Sequence, residues 1–297
     1  MPKQEEKGRK RAPDDDRNAA IAPRRSKRLA KPTGIESMPT EIFDRILGEV
    51  ALAGDERSAA KDLTSVEMVG PRFQKALRAS PAEGYRQSLN EAGKAAKRNY
   101  SMLPRGKFRD AGPVGADEYV DMVGPGIHLL SPDQQSKVVN KVLSVESPRR
   151  RADALNKMAS YSAGLSEGSR LRLLDSALDL VEQPHGTHIF HACKAVAKLH
   201  AYRTPAQEAR MAEVRNRDPL TAATIDGELD AIGRRESTST VENTPSPPAE
   251  VHGSSGYIPV KQRVRTAAED VQAKVRHADA ARIDLENTIR ERGGRGP

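Results

Sequence analysis

From Ile35 onward, apolar residues recur at helical spacing and polar ones fill the positions between. Ile42, Phe43, Ile46, Leu47 and Val50 share one face, and Pro39 stands near the first turn, where its missing N–H costs nothing. Ala51 to Arg57, with Gly54 inside it, reads as a connecting loop. A second amphipathic stretch carries Leu63, Val66, Met68 and Val69 and stops at Gly70-Pro71; Phe73 and Leu77 make a third, short one. Residues 82–126 hold a weaker helix around Tyr85 and Leu89, then a Gly/Pro-containing loop from Leu103 to Gly115.

Next comes an internal repeat. Leu130-Ser131-Pro132-Asp133 opens a helix with Val138, Val139, Val142 and Leu143. Leu165-Ser166-Glu167-Gly168 opens another with Leu173, Leu174, Ala177 and Leu178. Each is followed by a second helical pattern, Leu155, Met158 and Tyr161 in one and Val196, Leu199 and Tyr202 in the other. Two helices per unit at a period of about 35 to 41 residues predict stacked helical hairpins, and because two such units alone are marginal, residues 85–126 or 204–232 are expected to cap the stack. The last helical pattern, about 262–291, carries Val264, Ala268, Val271, Val275, Leu285 and Ile289 on a thin stripe between charged faces.

The fold class expected is all-α: a short three-helix module followed by stacked helical-hairpin repeats. Five parts follow: a disordered basic segment 1–34, the module 35–79, a helical-repeat target-binding domain 80–231, a disordered Pro/Ser/Thr/Glu-rich linker 232–260, and a C-terminal helix with an Arg-rich tail 261–297. Thr244-Pro245 and Ser246-Pro247 in the linker are possible phosphorylation sites, with a passive spacer as the plainer reading.

Composition narrows the function. Aromatic residues make up 3% with no Trp, which argues against base-stacking platforms and large aromatic pockets. No membrane span or secretory leader is expected, since no run reaches the ~18 apolar residues that a span needs. The single cysteine, Cys193, suits a reducing compartment. Net charge is +8 overall, but residues 1–34 hold 11 Lys/Arg against 5 Asp/Glu and residues 261–297 hold 9 against 6, leaving the middle nearly neutral. The basicity therefore reads as addressing rather than as a nucleic-acid face, and neither a specific nucleic acid nor a membrane is expected as partner.

No catalytic constellation emerges, so no enzyme activity, cofactor or metal is expected. His185, His188, His191 and Cys193 are of zinc-ligand type, but their spacing suits a repeat helix with Ile189, Cys193 and Val196 inward. Cys193 lacks an orienting acid or oxyanion signature. Arg149-Arg150-Arg151 after Pro148 reads as the solvated start of a helix.

Residues 38–77 resemble an F-box. Met38-Pro39-Thr40-Glu41 stands where the family opens with Leu-Pro-x-Glu, and Ile46-Leu47-Gly48-Glu49-Val50 where it has Ile-Leu-x-x-Leu; Asp62-Leu63, Val66 and Phe73 follow at family-like spacing. The segment departs from the family in a longer loop at 51–61, in Gly70-Pro71, and in Phe73 where Trp is frequent. The resemblance implies docking on a host Skp-family adaptor and its cullin ubiquitin ligase, with Pro39, Ile42, Ile46, Leu47, Val50, Leu63 and Val69 as adaptor-binding residues. The alternative is that 38–77 is merely the first hairpin of the repeat domain.

Arg282, Arg290, Arg292 and Arg295 resemble the Arg-rich C-terminal signals of type IV secretion substrates, including bacterial F-box effectors of the agrobacterial virulence type. Arg complementing a helix C-terminus is the competing reading. Arg24, Arg25, Lys27 and Arg28 read as a nuclear-import signal, or equally as a solubilising tail. Together these imply a virulence effector secreted into a host cell, acting in host nucleus and cytoplasm, that directs ubiquitination and degradation of an unknown target bound to the repeats. The other class is a non-enzymatic helical-repeat scaffold or adaptor acting in its own cell. The tail at 278–297 and the module are expected to share no packing.

Overall fold

The computed structural model describes residues 38–104, 115–183, 186–238 and 260–293. The basic segment 1–34 with Arg24, Arg25, Lys27 and Arg28, most of the linker (239–259), His185 and Arg295 lie outside the described residues. Among the described residues there are twelve α-helices and no strand: α1 (Thr40–Leu52), α2 (Glu56–Val69), α3 (Pro71–Ala79), α4 (Pro81–Ser101), α5 (Ala116–Val123), α6 (Pro132–Leu143), α7 (Pro148–Ala159), α8 (Glu167–Val181), α9 (His188–Leu199), α10 (Pro205–Arg217), α11 (Pro219–Thr238) and α12 (Val260–Gly293). The fold is all-α, as the periodicity predicts. Proline opens α3, α4, α6, α7, α10 and α11, where it ends the preceding segment and leaves no helical donor unmade.

The loop expected at 51–57 is shorter than the composition implies. Asp55 accepts a hydrogen bond from the Ser58 N–H at 2.7 Å, which starts α2 at Glu56 and leaves only Ala53–Asp55 between α1 and α2.

The repeats stack in two rows. α6, α8 and α10 pack in series along one side, and α5, α7, α9 and α11 along the other. Each hairpin begins with a 3-10 turn, at Gly124–Leu129, Ser162–Gly164 or His200–Tyr202, followed by Ser131, Ser166 or Thr204 at the N-cap position. Ser131 and Gln134 cap α6 reciprocally, and Thr204 and Gln207 cap α10 in the same way. A third hairpin, α10–α11, thus continues the stack, and α11 runs past the boundary at 231 to Thr238.

Buried glutamines tie one repeat to the next. Gln135 donates to the carbonyls of Ile127 and Gly164, both at 3.0 Å, while its oxygen accepts the Ser166 N–H at 2.9 Å. Gln207 donates to the Leu171 carbonyl at 3.1 Å and to Asp175 at 2.8 Å. A buried amide that meets several backbone groups at once fixes the spacing of neighbouring hairpins.

The C-terminal helix is not a separate tail. α12 packs along α4, α5 and the 3-10 turn at 124–129, and its later turns reach α1. Val271, Ala278 and Leu285 are buried there, Asn99 on α4 donates to the Ala267 carbonyl at 3.0 Å, and Ser88 and His277 share a hydrogen bond of 2.9 Å. Gly48 on α1 leaves the space that Ile289 fills: a Cβ at 48 would lie 2.3 Å from the Ile289 Cδ1. The expectation that tail and module share no packing is therefore corrected. Small residues are frequent on both α4 and α12, and one continuous core runs from Leu47 to Leu285.

Candidate protein-docking site

α1 and α2 are joined by three residues, and α3 follows α2 after Gly70 alone, so the start of α1 and the end of α2 meet at one end of the module. Phe43 and Phe73 close that end edge-to-face with ring centroids 4.9 Å apart, and the Arg72 guanidinium lies over the Phe43 ring at 5.4 Å. Phe73, standing where the F-box pattern often has Trp, thus fills an aromatic role in holding α3 to α1. From below, Glu67 on α2 receives Arg86 of α4 at 2.9 Å, and Arg86 also pairs with Glu83 at 2.8 Å.

The candidate docking residues divide into two groups. Pro39, Ile42, Ile46 and Val69 face outward, with Ile42, Ile46 and Val69 exposed by 45%, 38% and 66%. Leu47 and Leu63 are fully buried, each at 0%, and Val50 is half-buried against the core. Leu47 and Leu63 thus hold the helices in register and support the surface rather than touch a partner. Helix geometry explains the split: residues 43, 47 and 51 form the inward stripe of α1, and 42 and 46 stand one position round from it.

Met68, 83% exposed beside Val69, is absent from the sequence-derived set and lines a groove between α2, α4 and α6. The signal was its place at the end of α2 beyond the inward stripe that Ala59 and Leu63 begin. Exposed large apolar side chains grouped on a short helical module are suited to protein binding.

Of the C-terminal arginines, Arg282 is engaged by the fold, 3.0 Å from Glu286 and 3.8 Å from Glu56 on α2. Arg290 is exposed on the last turns of α12, and Arg292 lies within the helix. Glu56 also meets His128 at 2.7 Å, and the hydrogen bond from His128 holds its carboxyl below the ordinary glutamate value, outweighing burial. This junction links α2, the 3-10 turn before α6, and α12.

Cys193 is buried in α9, and burial pushes its thiol up to about 12, which makes it a packing residue rather than a nucleophile. His191 lies on the rim, 3.5 Å from Asp153. Among the described residues, no group of three or more His, Cys, Asp or Glu is arranged to hold a metal ion, and no helix is long and apolar enough to cross a membrane. Arg149 and Arg150 lie exposed in the first turn of α7.

Comparison with known proteins returns no match: no family model, no curated protein and no solved structure.

Proposed function

We propose that this chain is a non-enzymatic adaptor that docks a Skp-family subunit of a host SCF ubiquitin ligase through the α1–α3 module and holds a target protein on the helical stack. The observation that carries this reading is the division within the F-box-like segment. Its motif positions Leu47 and Leu63 are core, and Ile42, Ile46 and Val69 remain outside as exposed apolar surface. Such a surface would contribute hot-spot contacts, and the rigid stack behind it would set the distance between target and ligase. Its contribution to ubiquitination is proximity, a raised effective concentration of the reacting groups.

The delivery reading belongs to the same proposal: the chain is a secreted effector whose signal resides in Arg290, Arg292 and Arg295, since Arg282 is held by Glu56 and Glu286. Arg24, Arg25, Lys27 and Arg28 would then direct it to the host nucleus. The continuity of the core from α1 to α12 equally suits a scaffold working without ubiquitin.

A pull-down of purified full-length chain against a panel of Skp-family adaptors separates the two. Capture that is lost in Ile42→Asp/Ile46→Asp, with the helical content of that variant unchanged, supports the adaptor; no capture by any family member supports the scaffold.

A further inference from the structure

Between α2, α4 and the start of α6 lies an open groove of about 1030 Å³. Five cations line it: Arg57 and Lys61 from α2, Lys94 and Lys97 from α4, and Lys137 from α6. All five side chains are exposed, and none makes an ion pair among the described residues. Elsewhere this protein pairs its cations readily, as Arg86 does with Glu67 and Glu83, Arg98 with Asp270, and Arg210 with Asp179 and Glu182. The groove's own acids are largely committed: Asp55 caps α2, Glu56 is held by His128 and Arg282, and Asp133 sits in the first turn of α6, where the helix dipole favours it.

Part of the floor is apolar, set among the polar side chains of Thr64, Ser65 and Asn90. Ala60, Leu89 and Leu129 line it, and Gly93 interrupts the α4 wall with nothing within 4 Å of where a Cβ would stand. Exposed Met68 closes one end, and beyond Lys137 the groove meets a second recess of about 560 Å³ containing Tyr100, Leu103 and Pro104. Unpaired cations over a partly apolar floor match a ligand with carboxylates and an apolar side chain. A bare phosphate chain would leave the floor unused, and no aromatic side chain lines the main groove to stack a base.

We infer that this groove binds an acidic peptide segment of a partner protein, its carboxylates on Lys61, Lys94 and Lys97 and an apolar residue on the floor beside Gly93. The inference goes beyond the adaptor reading and does not depend on it, because none of the five cations lies on the Ile42/Ile46 face of α1.

The test uses full-length protein and a fluorescein-labelled peptide of glutamates flanking one leucine, followed by anisotropy. Saturable binding that tightens as salt is lowered is expected. Exposed ion pairs contribute roughly two- to fivefold each, so Lys61→Ala/Lys94→Ala/Lys97→Ala should weaken binding about tenfold or more. Gly93→Glu places a carboxylate and bulk in the groove at a site where space is open, so it should weaken binding at least as much while retaining the wild-type circular dichroism. Gly93→Ala should bind as wild type. Ile42→Ala/Ile46→Ala should leave peptide affinity unchanged whatever it does to adaptor binding, which keeps the two readings separable. Unchanged peptide affinity in either the triple-lysine or the Gly93→Glu variant overturns the inference. Tighter binding of a single-stranded oligonucleotide of equal charge, itself weakened by Gly93→Glu, overturns it in favour of a phosphate-reading groove.

Discussion

Gly48→Ala should change the sign of its effect on stability according to what stands at position 289. Gly48 lies in the interior of α1, where replacing glycine by alanine normally gains about 0.5–1 kcal/mol of helix stability. Here the added methyl would meet Ile289 at 2.3 Å from Cδ1 and 2.8 Å from Cγ1, and no other heavy atom beyond its own helix backbone and chain neighbours lies within 4 Å. Overpacking of this kind costs about 1–3 kcal/mol, so the single variant should lose up to about 2 kcal/mol. Ile289→Ala alone should cost about 1 kcal/mol, since the side chain is half-buried. In that background the clash is gone, and Gly48→Ala should stabilise by about 0.5–1 kcal/mol. Urea unfolding followed by far-UV circular dichroism suits a chain without Trp. An identical effect of Gly48→Ala in both backgrounds would refute the docking of α12 on α1.

Three further outcomes follow from the same packing. Gln135→Ala removes a donor from the carbonyls of Ile127, Leu130 and Gly164 and the acceptor of the Ser166 N–H at the joint between hairpins, so it should cost about 3 kcal/mol, read from urea midpoints. Leu47→Ala empties a fully buried site and should destabilise the chain by about 2–5 kcal/mol, so adaptor binding lost in that variant must be accompanied by a lowered melting temperature. Glu56, whose carboxyl is held below its ordinary value of 4.5 by His128, contributes stability present above that value and lost as pH falls below it. Thermal melts of Glu56→Gln should accordingly show a shallower acid limb than wild type, and an unchanged limb would remove the junction from the pH response.

How far the sequence reveals this protein depends on which side chains do the packing. The inward stripes of α1, α6, α8 and α9 use Phe, Leu, Val and Ile at helical spacing, and such stripes announce themselves. The third hairpin was less visible because α10 and α11 bury few large residues, Met211, Val214 and Ile225 among them. Its signal lay in the cap instead: Thr204-Pro205-x-Gln207 repeats Ser131-Pro132-x-Gln134. The place of α12 was hidden for a different reason. Its stripe toward α4 and α5 is thin, with Val271, Ala278 and Leu285 as the fully buried positions and small residues such as Ala267, Ala268 and Ala281 partly buried beside them, which leaves little hydrophobic signature. Within the α1–α3 segment, the motif does not tell which positions face outward, because a one-position rotation separates Ile46 from Leu47. The lysine groove drew residues from three elements distant in sequence, so no local pattern marked it.

The central claim is that Ile42 and Ile46 are partner contacts, and isothermal titration of a purified Skp-family adaptor into the full-length chain tests it most directly. Ile42 and Ile46 are only 45% and 38% exposed, so Ile42→Ala/Ile46→Ala should cost about 1–2 kcal/mol of stability and leave the chain folded at the assay temperature. Truncating two side chains at the centre of an interface should nonetheless weaken the adaptor about tenfold or more. Leu220→Ala, an exposed apolar change on α11 away from the module, should leave affinity untouched. Adaptor binding that is absent in the wild-type chain, or equal in wild type and the Ile42/Ile46 variant, would contradict the assignment.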